Sequence, residues 1–389
     1  MIRHTLIIDL KPGMHVVNTG QDKSKYPHLY ATDHFIQSED EVQQLLADGY
    51  QDAFVDLVRS DLTAITQDFS QEESPEPEQR VLLEEELPVA KKLYGESVSY
   101  ARQFMTDMRS GKVNVASAGT LVEDIMQSLE RNADAMISLC RLHRVDTYTH
   151  MHCVNVSVLS TAFSRFMEEK ADAIYVAGIA GLFHDLGKAL IPLNVLNAPR
   201  KLSQAEFTLM QRHPILGFEQ LKRLPDIPPE VLQGTVEHHE KRDGSGYPHG
   251  LAGDAISPTG RKVGVCDIYD ALASERPYKN AMTTHKALGI MYQISDKEFH
   301  GEDIAYFIRM MGVYPVGSIV KLEDGWIGVV SASNAGSPIK PVVRLVKDPQ
   351  GHRVHPEDRD LAVDSIPIAT CLSAEASGIS PTQILGVAG

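Results

Sequence analysis

Residues 173–183 constrain the fold more than any other part of the sequence, because this apolar run is followed directly by His184 and Asp185. The run is apolar almost all round a helix, so it predicts a helix that is buried on every face. Such a helix delivers the histidine and the aspartate into the interior. An ionised carboxylate in apolar surroundings needs a compensating charge, which a bound cation supplies. We therefore expect the chain to fold around a metal site.

Further side chains of metal-binding type accompany this pair. The candidate ligands are His152, His184, Asp185, His213, His238, His239 and Asp267. Asp267 also lies in an apolar helical segment. Any one of these histidines alone would more often be a hydrogen-bonded core residue, but their accumulation favours metal binding. Imidazoles and carboxylates together suit divalent Fe, Mn, Zn or Ni, and this set exceeds what one ion takes. Two neighbouring ions are the first hypothesis.

Three longer motifs contain most of these ligands. They are HDLGK at 184–188, HHEKRDGSGYP at 238–248 and DIYDALASERPYK at 267–279. Together with His213-Pro214 they resemble the HD-GYP subgroup of the HD phosphohydrolase superfamily over about residues 148–300. The resemblance implies an all-α domain with a di- or trinuclear iron or manganese centre that hydrolyses cyclic di-GMP. Some members prefer cyclic GMP-AMP, and some only bind nucleotide.

The resemblance also implies roles for individual residues. The family's ligand pattern falls on the seven candidates above, with Asp185 and Lys188 as catalytic residues. The implied substrate contacts are Lys188, Tyr247, Asp270, Arg276 and Lys279. Members with a third metal have a glutamate four residues before the first ligand histidine; this chain has Tyr148 there, and Asp146 and His150 are out of register. Two ions are therefore expected, iron or manganese first, with Zn, Ni or Mg as alternatives.

The expected chemistry is hydrolysis of a phosphodiester. A water that bridges two divalent ions has its pKa lowered from about 15.7 towards about 7, which gives a hydroxide that attacks phosphorus in line. The ions and Lys188 neutralise the charge that grows on the phosphate oxygens. The products are linear pGpG, GMP or both. Because the formal net charge is −15, attraction of a polyanionic substrate must be local.

The segment 242–248 predicts a loop, since two glycines and a proline exclude regular structure. Three roles are open for it. It covers the metal centre, or it presents Tyr247 to stack on a guanine, or it docks a diguanylate cyclase domain as implied for the family.

The pattern along the chain predicts a mainly α protein with two smaller appendages. Residues 1–65 predict a small α/β domain with short β-type runs, one at 6–8, and a helix from 38 to 48. They resemble the domain that often precedes HD-GYP modules. The sequence leaves three roles open for this domain, namely sensing, contact within a dimer and structural capping. Residues 66–88 are predicted to form an acidic linker, and residues 89–312 the helical catalytic region. Residues 313–372 are predicted to form a β-rich appendage with a hairpin at Asp324-Gly325, and residues 373–389 a loosely packed tail.

Composition narrows the remaining possibilities. No apolar stretch approaches the about 18 residues of a membrane span, and the first residues lack a signal sequence, so we expect a cytoplasmic protein. The four cysteines are scattered and predict no disulfide framework. The sequence contains no stripe of basic residues interleaved with aromatic ones, so polymeric nucleic acid is not expected as a ligand. The sequence leaves open whether the chain forms a homodimer. The functions that remain are a cyclic di-GMP phosphodiesterase, a catalytically weak receptor or adaptor for cyclase partners, and a hydrolase of another cyclic dinucleotide.

Overall fold

The computed structural model describes residues 2–18, 34–47, 50, 52–56, 81–110, 115–142, 148–274, 282–334, 339–364 and 366–387. Within them the protein is mainly α-helical, with one antiparallel sheet before the helices and another after them. The predicted fold class is therefore confirmed. None of the described helices has the length and apolar composition needed to cross a bilayer.

The described residues of the N-terminal part form a sheet with one α-helix. Its elements are β1 (Ile2–Leu6), β2 (His15–Asn18), β3 (His34–Phe35), α1 (Glu39–Ala47) and β4 (Asp52–Asp56), in the sheet order β1-β4-β2-β3. The helix begins where predicted, because Ser38 Oγ accepts a hydrogen bond from Glu41 N at 3.3 Å. The β-type run expected at residues 6–8 ends after Leu6, since Ile7–Asp9 form a 3-10 turn. This part has a small apolar core of its own.

The helical region begins earlier than its sequence pattern indicated. Helix α2 (Leu83–Ser110) starts inside the segment that was expected to be an acidic linker. Acidic residues in its first turn stabilise the positive end of the helix. Among them Glu86 is buried and accepts hydrogen bonds from Arg131 Nε at 2.6 Å and Ser128 Oγ at 2.8 Å. The end of the acidic segment is thus part of the folded body.

The remaining helices surround the apolar run with which the sequence analysis began. They are α3 (Ala116–Leu142), α4 (Tyr148–Phe166), α5 (Ala171–Phe183), α6 (Leu193–Leu196), α7 (Gln204–Met210), α8 (His213–Leu221), α9 (Pro229–Glu237), α10 (Pro258–Ala273), α11 (Thr284–Glu298) and α12 (Gly301–Met311). Helix α5 packs against α3, α4, α9 and α10, and it is buried from Ala177 to its last residue. The prediction of a helix buried on every face is confirmed for residues 177–183, whereas the residues before Ala177 are exposed or half-buried.

The C-terminal part is a five-stranded antiparallel sheet. Its strands are β5 (Ile319–Leu322), β6 (Ile327–Ala332), β7 (Val342–Lys347), β8 (Arg353–Asp360) and β9 (Ile368–Leu372), in the order β8-β7-β6-β5-β9. The expected β5–β6 hairpin is present, with Gly325 at φ +90° in its turn. The sequence did not indicate β8, because its residues are mostly polar or charged and show no alternating pattern.

The segment after β9 is not a loose tail. Three short helices, α13 (Leu361–Asp364), α14 (Ala374–Ser377) and α15 (Pro381–Ile384), flank β9 on either side in the chain. Ile379, Leu385 and Val387 are buried in the main core. The prediction for this segment is therefore wrong for residues 374–387, because a few well-placed apolar side chains fix it despite its many small residues.

Candidate metal centre

All seven candidate ligands lie at one place, and most of them lie at helix ends. His184 and Asp185 follow the last residue of α5, His213 is the first residue of α8, and His238 and His239 follow the last residue of α9. His152 and Asp267 project from the interior of α4 and α10. The helix packing therefore brings together side chains that are far apart in the sequence.

Asp185 lies between two groups of imidazoles. Its Oδ2 is 3.4 Å from His184 Nε2 and 3.6 Å from His152 Nε2. Its Oδ1 is 3.2 Å from His213 Nε2 and 3.9 Å from His238 Nε2. The two groups with metal-ligand geometry, one with His152 and His184 and one with His213, His238 and His239, share Asp185. One carboxylate can therefore serve two ions.

Asp267 completes the arrangement from the opposite side. Its Oδ1 is 3.0 Å from His152 Nε2, and its Oδ2 is 3.7 Å from His239 Nδ1. Each of its oxygens thus faces a different imidazole group, as those of Asp185 do.

Backbone carbonyls fix the orientation of three ligand imidazoles. The Nδ1 atoms of His184, His213 and His238 donate to the carbonyl oxygens of the residues three positions earlier, at 2.7, 2.8 and 2.8 Å. Such a hydrogen bond places the proton on Nδ1 and leaves Nε2 as the ligand atom. All three Nε2 atoms therefore present a lone pair to the centre.

Two observations show that these residues fit a cation. His213 Nε2 and His238 Nε2 are only 3.3 Å apart, although each carries a lone pair and neither carries a proton. Asp185 is fully buried, and its Oδ1 has no hydrogen-bond donor. Facing lone pairs and an unsatisfied buried carboxylate oxygen are unfavourable unless a positive ion lies between them. The donor set of imidazoles and carboxylates is the one that borderline divalent metals take.

The pKa values of these groups agree with a ligand role. Burial lowers the pKa of His213, lowers that of His238 far below its ordinary value, and lowers that of His239 to about 3. These imidazoles are neutral at pH 7, as ligation requires. Burial raises the pKa of Asp185, but the positive charge of Lys188 is the first of several contributions that outweigh burial and hold that pKa well below its usual value. The carboxylate is therefore an anion.

His152 behaves differently because it lies between two carboxylates. Burial lowers its pKa, but hydrogen bonds to Asp267 and Asp270 outweigh burial and raise the pKa to about 9. Without metal this imidazole is protonated at neutral pH. Binding of an ion at His152 must therefore release a proton.

Lys188 lies at the solvent side of the centre. Its Nζ is 2.5 Å from Asp185 Oδ2, and its side chain is 23% exposed. Burial lowers its pKa, but Asp185 and Asp267 outweigh burial and raise the pKa above the ordinary value. The sequence-predicted lysine is thus a permanent cation beside the shared carboxylate.

The loop 242–248 covers one side of the centre. The ring of Tyr247 lies 4.7 Å from that of His239, centroid to centroid, and Tyr247 N donates to His239 O at 3.1 Å. A Cβ on Gly246 would come within 2.6 Å of the backbone of residues 239–241, so the close approach of this loop requires glycine. The geometry places Tyr247 against a metal ligand, which favours a role in shaping the site.

Two residues that matter here were not singled out from the sequence. Buried Glu240 accepts hydrogen bonds from His249 N at 2.7 Å and Leu251 N at 2.9 Å, and so holds the loop to the end of α9. Gly187 lets the turn after Asp185 pass directly over the carbonyl of His213. Glu240 could have been identified from the sequence because it is adjacent to the ligand His239. The role of Gly187 could not, because it depends on a contact between segments distant in the chain.

Asp270, which was predicted to contact substrate, is hydrogen-bonded to protein groups. Its carboxylate is 2% exposed and lies behind His152. Oδ2 accepts from His152 Nδ1 at 2.6 Å, and Oδ1 accepts from Asn155 Nδ2 at 2.7 Å and Ser274 Oγ at 2.9 Å. Because protein donors occupy both oxygens and the residue is buried, this geometry favours support of a ligand by Asp270, and its contact with substrate stays a prediction.

Other predicted residues lie outside the described part of the structure. Arg276, Lys279 and Asp146 are not described, and of Tyr148 only the backbone at the start of α4 is described. His150 is described and half-buried, and burial lowers its pKa. The expectation of two ions in place of three stays a prediction.

Three family models match successive parts of the chain. A domain of unknown function matches residues 3–118, an HD domain matches residues 159–304, and a KOW domain associated with HD domains matches residues 319–375.

Similar curated proteins are bacterial phosphodiesterases. A cyclic di-GMP phosphodiesterase of Pseudomonas aeruginosa is 33% identical over 354 residues, which cover 89% of this chain and 85% of that protein. A cyclic di-GMP phosphodiesterase response regulator of Xanthomonas campestris is 43% identical over 122 residues, 31% of this chain and 32% of that protein. A 3'3'-cGAMP-specific phosphodiesterase of Vibrio cholerae is 39% identical over 169 residues, 43% of this chain and 36% of that protein.

Proposed function

Because this chain belongs to the HD-domain family that includes the Pseudomonas aeruginosa cyclic di-GMP phosphodiesterase, we propose that it is a metal-dependent enzyme that hydrolyses cyclic di-GMP. The observation that carries the proposal is Asp185, whose two oxygens face two separate groups of imidazoles. A shared carboxylate of this kind is expected where two ions act on one phosphodiester. Hydrolysis would lower the level of the second messenger.

The metal centre would be held by the seven ligands described above. His152, His184, Asp185 and Asp267 would hold one ion, and Asp185, His213, His238 and His239 the other. When bound, two divalent ions activate water as a nucleophile and neutralise phosphate charge. We propose iron or manganese, with Zn, Ni and Mg as alternatives that the ligand types also accept.

The surrounding residues would bind and orient the substrate. Lys188 is a cation at the solvent side of the shared carboxylate, where it can attract a phosphate and neutralise charge on its non-bridging oxygens. Tyr247 packs on His239 and limits the space available to the substrate on that side. Arg276 and Lys279 remain proposed phosphate contacts from the sequence motif alone.

The experiment that tests the proposal is hydrolysis by protein loaded anaerobically with iron or manganese. Metal analysis and chromatography of the products should show bound metal and conversion of cyclic di-GMP to linear pGpG, to GMP or to both. Intact nucleotide in the presence of metal-loaded protein would favour the receptor or adaptor function instead.

A second candidate substrate is cyclic GMP-AMP, because a Vibrio cholerae relative is a 3'3'-cGAMP-specific phosphodiesterase. Competition between the two cyclic dinucleotides at equal concentration would decide between them. The expected result is a higher kcat/KM for cyclic di-GMP.

We further propose, from the resemblance alone, that the loop 242–248 docks a diguanylate cyclase domain in the cytoplasm and that the chain forms a homodimer. Co-purification of a cyclase domain with wild-type protein but not with a Tyr247→Ala variant would support docking. Size-exclusion chromatography with light scattering would report the oligomeric state.

A further inference from the structure

A chain of buried hydrogen bonds leads away from the ligand His152. Its Nδ1 donates to Asp270 Oδ2 at 2.6 Å, and Asn155 Nδ2 donates to Asp270 Oδ1 at 2.7 Å. The hydroxyl of Tyr94 donates to Asn155 Oδ1 at 2.7 Å. None of these four residues is more than 3% exposed. Water therefore cannot replace a lost member easily, and each bond matters to its neighbour.

The polarity of this chain is fixed at the amide of Asn155. Its Nδ2 faces two acceptors, Asp270 Oδ1 and the carbonyl oxygen of Cys140 at 3.2 Å, so the nitrogen and oxygen cannot be exchanged without loss of hydrogen bonds. Its Oδ1 needs a donor, which Tyr94 provides. Burial raises the pKa of Tyr94 well above its ordinary value, so the hydroxyl keeps its proton.

Tyr94 comes from a part of the chain that the HD-domain model does not match. It lies on α2, within residues 3–118, which match a domain of unknown function, whereas the HD domain covers residues 159–304. Near its start α2 is tied to α3 by the hydrogen bonds of Glu86 to Arg131 and Ser128. Tyr94 lies eight residues further, about 12 Å along the helix. The packing of α2 thus sets the position of the hydroxyl.

We propose that Tyr94 and Asn155 are positioning residues for one metal ion of the centre, which they reach through Asp270 and His152. They hold Asp270 so that His152 Nε2 faces His184 and Asp267. The inference rests on the proposed metal-dependent function. The other imidazole group is oriented independently, because His213 and His238 donate from Nδ1 to the carbonyls of Met210 and Thr235. Loss of the Tyr94 hydroxyl should therefore weaken the binding of one metal ion and leave the binding of the other unchanged.

The test is titration of metal-free protein with Mn²⁺ by calorimetry, which needs no turnover. Wild-type protein should show two binding steps. Tyr94→Phe should weaken one step about fivefold, the equivalent of one net hydrogen bond. Asp270→Asn should weaken the same step about 10- to 100-fold, as outer-shell partners of ligand histidines do. Asn155→Ala interrupts the same chain of hydrogen bonds at its middle and should reproduce the selective loss.

Two comparisons separate positioning from a general loss of packing. Tyr100→Phe removes a tyrosine hydroxyl from the same helix and should leave both Mn²⁺ steps unchanged. The double variant Tyr94→Phe/Asp270→Asn should bind no more weakly than Asp270→Asn alone, because Tyr94 acts through Asp270.

Several results would overturn the inference. They are unchanged Mn²⁺ binding in Tyr94→Phe and Asn155→Ala, equal weakening of both steps, and additive losses in the double variant. In each of these cases two-step binding by the wild type would leave the proposed function standing. A wild-type protein that binds no Mn²⁺ would overturn the metal-dependent function and this inference with it.

Discussion

Replacing Gly187 with alanine should separate Asp185 from His213 and so disrupt the metal centre. An ideal Cβ at position 187 would lie 1.9 Å from His213 O and 2.6 Å from Gly217 N. Both neighbours are backbone atoms, so no side chain can rotate away. Since real Cβ contacts are essentially never shorter than 3.0 Å, the turn must move by at least 3.0 − 1.9 = 1.1 Å relative to α8.

The size of the effect follows from that displacement. Asp185 Oδ1 and His213 Nε2 are now 3.2 Å apart, a separation that allows both to bind one ion at about 2.0–2.2 Å. A shift of about 1 Å near a reacting centre costs about 100-fold in activity. Overpacking of a close contact costs about 1–3 kcal/mol of unfolding free energy. We expect losses of this order in kcat and in thermal stability.

The assay combines thermal unfolding, Mn²⁺ titration and turnover of cyclic di-GMP in three glycine variants. Gly95→Ala is the matched control, because its Cβ would meet nothing within 4 Å and alanine stabilises a helix interior by about 1 kcal/mol. Gly217→Ala should be intermediate, since its Cβ would lie 3.2 Å from Gly187 N. Wild-type metal affinity and stability in Gly187→Ala would refute the reasoning.

Three further predictions concern the ligands and the loop. Asp185→Ala should remove at least one ion and the activity while the far-ultraviolet circular dichroism persists; full metal content with full activity would show that the site is assigned wrongly. In metal-free protein the pKa of His152 is raised from 6.5 to about 9, so its contribution to stability should be complete below pH 6.5 and lost as the pH rises to about 9. Denaturant unfolding should show this slope, and a His152→Gln variant with the same slope would argue against it. Glu240→Ala should leave His249 N and Leu251 N without their acceptor, at a cost of about 1–3 kcal/mol each. We expect faster proteolysis of the loop 242–248 and a higher KM with metal retained; an unchanged digestion rate would contradict this role.

Local signals in the sequence indicated much of the fold and the centre. The buried helix before His184, the hairpin at Asp324-Gly325 and the capped helix after Ser38 each depend on neighbouring residues, and the structure contains all three. The strand β8 was missed although it pairs with its chain neighbour β7, because its residues are mostly polar or charged and do not alternate. The packed segment after β9 was missed because core residues distant in the chain hold its few apolar side chains.

By itself, the sequence determined which side chains could bind metals and that an almost wholly apolar helix would place two of them in the interior at its end. These are properties of residue type and periodicity, which need no tertiary contact. Only the tertiary structure decided that Asp185 lies between two imidazole groups, that Asp270 accepts a hydrogen bond from His152, and that Tyr94 from α2 joins the same buried chain of hydrogen bonds through Asn155. The physical reason is that hydrogen-bond partners in a buried site are set by helix packing, which brings together residues such as Tyr94 and Asn155 that no local pattern connects.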